Sequence, residues 1–325
     1  MPVSQTDPTS APSEPAAGYR LGANRYGKAE VRLVRVDRDT ERHTLTDLSV
    51  TSQLRGDFAD THTRGDNAHV IATDTQKNTI FAFARDGITS PEAFLLRLAA
   101  HFTDDFAWVD GGRWEAHAYG WDRLPSESGA PHDHAFARSG GETRTALVDV
   151  DGGRTTVLAG LRDLTVMKST GSEFVGFPRD RYTTLPEETD RILATSVSAR
   201  WRYADGVADL DGRGLDGGGL DWDSAYGAAR SAMLTAFADT HSKALQETLY
   251  VMATAVLDAV PQIAEVRFSM PNKHHFLVDL APFGLDNPGE VFYAADRPYG
   301  LIEAAVLRDG EADGHAVWDS VDGFC

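Results

Sequence analysis

From Val31 onward the chain alternates apolar and polar positions with the period of a β-strand. Val31 and Leu33 flank Arg32, and Leu48, Val50 and Leu54 recur two or four positions apart. The turn-forming run 37–41 between them predicts a hairpin. At Ser90-Pro91-Glu92 the rhythm changes: a cap residue and a first-turn proline precede Phe94, Leu95, Leu98 and Phe102 at helical spacing. Strands are predicted at 114–121 and 143–150, separated by the loop PSESGAPHD. The second half repeats the order. It predicts strands at 154–168 and 195–203, helices at 224–240 and 242–260, and strands at 265–270 and 276–280. In 265–270, Val266, Phe268 and Met270 alternate with Glu265, Arg267 and Ser269.

Strand pair, helices, strand pair, twice over, predicts an α+β protein with helices on one face of antiparallel sheets. The divisions are a disordered N-terminal tail at 1–20, one module at 21–152, a similar one at 153–308 and a C-terminal tail at 309–325. Two open four-stranded sheets leave bare edges, and closure into a barrel by self-association would cover them.

Composition narrows the function classes. The 325 residues hold 49 acidic and 31 basic side chains, a net charge of −18, which disfavours nucleic acid and anionic lipid as partners. A single cysteine, Cys325, leaves neither an intramolecular disulfide nor a cysteine-based zinc site. No apolar run approaches the roughly 18 residues of a membrane span, and no secretory signal is evident. The expected compartment is the cytoplasm.

Candidate chemistry is scattered. In KSTGSEFVGFPRDRYTTLPEETDR an aromatic, Phe174, is followed by a guanidinium, Arg191. A stacking face with a cationic fork suits a planar, anionic heterocycle. Each candidate also has an ordinary reading. Lys28 can be a solvated strand residue, and Thr73 and Asp74 helix caps. Phe174 can be core, and Arg191 a surface ion pair with Asp190 or Glu188. Gln246 can be a helix-surface amide, Asn272 a turn residue and His274 an exposed ring. Gly212-Arg213-Gly214-Leu215-Asp216-Gly217 matches a dinucleotide fingerprint in spacing, but it follows an acidic loop and precedes more glycine. His132-Asp133-His134 lacks a third ligand at a telling distance.

The segments YGKAEVRL, IATDTQKNTIF, LTVMKSTGSEFVGF, RDRYTTLPEETDRIL and SMPNKHHFLVDL together resemble the urate oxidase (uricase) family, from about Tyr26 to Leu301. The resemblance implies tandem tunnelling-fold modules, sheets joined across subunits into a barrel, and a homotetramer with sites at subunit interfaces. It implies oxidation of urate by O2 and water to 5-hydroxyisourate and hydrogen peroxide, with no cofactor and no metal. By the same resemblance Lys28, Thr73 and His274 form the proton relay. Lys28, Thr73 and Asp74 of one chain would face Phe174, Arg191, Leu245, Gln246 and Asn272 of its neighbour. Leu245 stands where the family often has valine, a contact made through the backbone amide. Two other readings stay open: a zinc-dependent enzyme of the same fold acting on a pterin or purine, and a purine binder without turnover.

Overall fold

The computed structural model describes residues 18–208, 220–313 and 315–325. Most of the expected N-terminal tail (1–17) and the Gly/Asp loop at 209–219, with its glycine fingerprint, lie outside the described residues.

In chain order the main elements are β1 (Tyr26–Asp37), β2 (Thr44–Gly56), α1 (Ala59–Arg64), α2 (Thr73–Asp86), α3 (Pro91–Asp105), β3 (Val109–Ala118), β4 (Trp121–Pro125), β5 (Pro131–Arg138) and β6 (Thr143–Asp151). Then come β7 (Arg154–Lys168), β8 (Leu193–Tyr203), α4 (Trp222–Asp239), α5 (Leu245–Ala259), β9 (Ile263–Asn272), β10 (His275–Leu277), β11 (Phe292–Ala294) and β12 (Gly300–Leu307). Eight strands form one antiparallel sheet in the order β1-β2-β3-β6-β7-β8-β9-β12.

The expected α+β architecture is present, with two corrections. Rather than two separate four-stranded sheets, the halves merge, because β6 pairs with β7 along its whole length, Thr143↔Arg162 to Asp151↔Arg154. Gly152 and Gly153, both at positive φ, make the two-residue turn that joins them. The second correction concerns the last strand. Residues 276–280 do not extend the sheet; β10 pairs only with the short β11, and the edge is β12. Pairing β12 along β9 places Ile302, Ala304 and Val306 in line with Met270, Phe268 and Val266. The loop PSESGAPHD is narrower than expected, since β4 and β5 enclose it as a hairpin.

Ser90 caps α3 by accepting from the Ala93 amide at 3.1 Å, with Pro91 in the first turn. α3 packs on β3 and β6, and α5 on β9 and β12. Alternation sends Trp114, Ala146, Val148, Trp201, Val266 and Phe268 into the core under the helices. It sends Arg113, Glu115, Asp149, Arg200, Arg202, Glu265 and Arg267 to the opposite face, where Arg113, Arg200 and Arg202 pair across strands with Asp149, Glu115 and Glu265, and Arg267 pairs with Glu265 of its own strand.

That opposite face is partly covered by the chain's own C-terminus, which the sequence presented only as a tail. A helical turn, Ala316–Ser320, brings Val317, Trp318 and Val321 onto Leu147 and Leu158 as a second small core. Trp318 Nε1 donates to Glu265 at 3.0 Å, Arg113 Nη2 donates to the Val317 carbonyl at 3.0 Å, and the Arg267 guanidinium lies over the Trp318 ring.

Candidate active site

The candidate residues gather in two places. The first is the start of α2 against β1. Tyr26 fixes this corner: its hydroxyl accepts from the Ile71 amide at 2.8 Å and donates to the Ile71 carbonyl at 3.2 Å. Gln76, fully buried, holds the same carbonyl and accepts from Ser52 at 3.1 Å. Thr73 is therefore the first residue of a helix whose entry is rigid. The cap position belongs to Ala72, which has no side-chain acceptor, so capping is not the role of Thr73 or Asp74 here. A helix N-terminus without a side-chain cap favours an anion. Asp74 is exposed and bonded to Lys77 and Asn78. These bonds, Lys77 first, hold its carboxyl below the usual range, and the nearby Lys28 charge adds to the effect. Lys28 lies on β1 opposite Ser52, immediately before a bulge that breaks the register.

The second place is the far end of the sheet, between β7 and β8. Here the loop carrying Phe174 is tied to the start of α5. Ser242 N donates to Gly171 O at 2.9 Å, Glu173 N to Ser242 O at 2.8 Å, and Arg191 N to Ser172 O at 2.8 Å. These bonds tie the segment carrying Phe174 and Arg191 to Ser242, shortly before Leu245 and Gln246, the first two residues of α5, whose cap position is again an alanine. Leu245 is buried and Gln246 exposed. Asn272, at the end of β9, pairs with Thr195 and with Gly300, and Lys273 N donates to Ala194 O at 2.8 Å, so Asn272 and His274 share this end with Arg191.

The electrostatics of this group are those of an anion site. Arg191 lies with its guanidinium carbon 5.1 Å from the Phe174 ring centre. Its Nε is buried and has no hydrogen-bond partner. Burial pulls its pKa down, with the Glu188 charge opposing. Asp190, the obvious ion-pair candidate in the sequence, turns instead to Thr170 Oγ1 at 2.9 Å and the Gly171 amide at 3.1 Å. His274 is held below its ordinary pKa by burial first, then by Arg191 and His275. Two fully buried hydroxyls here, Ser172 and Thr195, have no partner, and neither residue stands out in the sequence. Both are small polar residues in a loop or at a strand start, where periodicity is silent.

The structure does not bring the two groups together within one chain. β1 is five strand steps from β8, which Arg191 precedes, and six from β9, roughly 24–30 Å along the sheet at about 4.8 Å per step. His132 and His134 lie on β5, with ring centres 4.5 Å apart. Among the described residues, no group of three or more His, Cys, Asp and Glu converges as metal ligands.

Comparison with known proteins agrees with the motifs. A family profile described as Uricase matches residues 24–149 and 157–303. A Uricase of Arthrobacter globiformis is 57% identical over 97% of this chain and all of its own length. One of Schizosaccharomyces pombe is 37% identical over 87% of this chain and 96% of its own. The crystal structure of the Arthrobacter globiformis uricase superposes with a TM-score of 0.86, covering 94% of this chain and 100% of that one at 57% identity. A uricase structure from Bacillus fastidious superposes at 0.74 with 26% identity, covering 94% and 98%. Motifs, fold and full-length similarity converge: this chain belongs to the uricase family.

Proposed function

We infer that this chain is a urate oxidase, converting urate, O2 and water into 5-hydroxyisourate and hydrogen peroxide. The observation that carries the reading at the site is Arg191: a part-buried guanidinium with an unpartnered Nε, placed against an aromatic face. Urate is planar and largely monoanionic near neutral pH, so it can stack on Phe174 while Arg191 and Gln246 grip one polar edge. Leu245 adds a wall and a backbone amide at the start of α5.

The chemistry needs a second deprotonation. Thr73 and Asp74 take the other edge of the ring, and Lys28, acting through the Thr73 hydroxyl and His274, accepts the proton. Orientation and exclusion of water favour the dianion over its level in solution. The dianion passes its electrons to O2 directly, so the reading includes no flavin, haem or metal. Asn272 holds O2 above the ring and afterwards a water. A hydroperoxide formed at the ring carbon is then displaced as H2O2 when water adds.

Because the two halves of this constellation sit about five to six strand steps apart in one chain, the reading places them across two subunits. Edge strands β1 and β12 then meet the edges of neighbouring copies, and tandem tunnelling-fold modules, 21–152 and 153–308, close into a barrel within a homotetramer. Among the described residues no helix is long and apolar enough to cross a membrane, and the proposed compartment is the cytoplasm.

The test is purified, metal-stripped protein given urate and O2. Loss of the near-ultraviolet band of urate with equimolar peroxide is the expected result. Binding of urate with no oxygen consumption would overturn the reading in favour of a purine-binding homologue, and activity restored only by added zinc would favour the metal-dependent alternative.

A further inference from the structure

The thirteen residues between Phe174 and Glu188 form a loop whose two ends are joined. Phe174 N donates to Glu188 O at 2.7 Å and Glu188 N to Phe174 O at 3.1 Å. Within it the Gly176 amide donates to Glu187 at 2.9 Å, Arg179 Nη2 to the Leu185 carbonyl at 2.9 Å, and Asp180 holds Tyr182 and Thr183. The chain turns back at Gly176, whose φ of +73 strongly favours glycine. That turn lays the Phe177 ring on the Phe174 ring, with centres 4.9 Å apart and planes 12° from parallel.

Phe177 stacks on Phe174, Arg179 lies with its guanidinium carbon 5.8 Å from the Phe177 ring centre, and that of Arg191 is 5.1 Å from the Phe174 ring centre. A phenyl ring has two faces, and one face has room for one stacked ring. With Phe177 on one side of Phe174, a planar ligand gripped by Arg191 has only the other.

We propose that Phe177 is a positioning residue for the substrate: it backs Phe174, closes that ring's rear face, and fixes the plane on which a purine anion stacks in front of Arg191. The proposal rests on the reading of Phe174 as the stacking face. The ring-on-ring geometry belongs to the offset-stacked class that aromatic pairs prefer, so Phe177 restrains the tilt of Phe174 without touching the ligand. It also explains the pinned loop, since Phe177 couples the loop's order to the shelf.

The test compares Phe177→Leu, Phe177→Tyr and Phe174→Leu as full-length assembled enzyme. The readouts are steady-state kinetics, anaerobic urate titration and the thermal midpoint. Phe177→Leu is expected to raise KM and the anaerobic Kd roughly three- to ten-fold while kcat stays within about two-fold, the size of an aromatic-pair term. Phe177→Tyr, which keeps the ring, is expected to restore wild-type KM. An unchanged KM in Phe177→Leu, or equal losses in KM and kcat with Tyr no better than Leu, would overturn the proposal. If Phe177→Leu does not assemble, Phe177→Met is judged by the same criteria. Phe174→Leu separates the two levels. A wild-type KM there removes the shelf reading itself, whereas a raised KM there with none in Phe177→Leu removes only the role of Phe177.

Discussion

Arg191 and Lys28 are both cations on the proposed site, yet different kinetic constants should report them. In the proposed site Arg191 binds a formed anion, so Arg191→Ala is expected to raise KM by about one to two orders of magnitude, the size of a lost charge-assisted hydrogen bond, with a smaller effect on kcat. In the proposed relay Lys28 and Thr73 move a proton, so Lys28→Ala or Thr73→Ala is expected to lower kcat by about 10²-fold or more with KM little changed. Steady-state kinetics across the three variants checks this, and parallel losses would argue against the division. His274 gives a pH signature. Burial, Arg191 and His275 favour its neutral form, so its folded pKa lies below the ordinary value near 6.5. The neutral ring is the form that relays a proton, so the acid limb of kcat should fall below that ordinary value. Removing the Arg191 charge should move the limb upward, and His274→Asn should abolish it. The same shift has a sign in stability: the unfolded chain binds this proton first, so as pH falls below about 6.5 the group penalises the fold, and above it the penalty is gone. Profiles of kcat at saturating urate for wild type and both variants are the measurement.

At the scale of elements, legibility tracked periodicity. α3 was readable because Ser90, Pro91 and the Phe94–Phe102 stripe each say helix independently, and the structure uses all of them. β9 was readable because Val266, Phe268 and Met270 face a core while Glu265, Arg267 and Ser269 do not. β12 was not, since Gly300–Leu307 reads as a mostly apolar run whose pairing with β9 is set thirty residues away. The Phe174 loop was legible as chemistry and illegible as shape, because its form depends on bonds to Ser242 and Glu188. Burial of charge was equally hidden. Glu92, in the first turn of α3, is fully buried, and Arg144 on β6 pairs with it at 2.7 Å. Burial raises the pKa of Glu92 and Arg144 opposes the rise. Arg144 also holds Asp223 of α4 at 2.6 Å, so one guanidinium staples helices of both halves to the sheet. Arg144→Ala would strand Glu92 and should cost about 3–5 kcal/mol in denaturant unfolding. Glu92→Gln, which removes the charge and keeps the shape, should cost clearly less, and the reverse order would refute the staple.

For the whole molecule, the sheet is what separates the site into halves. Lys28 and Thr73 stand at the β1 edge, while Arg191 precedes β8 and Asn272 and His274 lie at and just beyond the end of β9, five to six strand steps or roughly 24–30 Å away along the sheet. On the proposed roles, a base and an anion clamp so far apart along one sheet are drawn from two chains, so a single folded chain should be inactive however well it folds. This makes the assembly testable without a structure of it. Lys28→Ala and Arg191→Ala chains, each nearly inactive alone, would be mixed, dissociated and reassembled in equal amounts. If every site takes its base from one chain and its clamp from a neighbour, random mixing gives each site a half chance of an intact base and a half chance of an intact clamp. About a quarter of wild-type activity per site should then return. A site built within one chain can never recover this way, because every chain carries one lesion. Activity that remains at the sum of the two parents after verified subunit exchange would therefore place both groups in one protomer and overturn the interface reading. Recovery near a quarter, with the KM of wild type rather than that of Arg191→Ala, would show that the restored sites are complete ones.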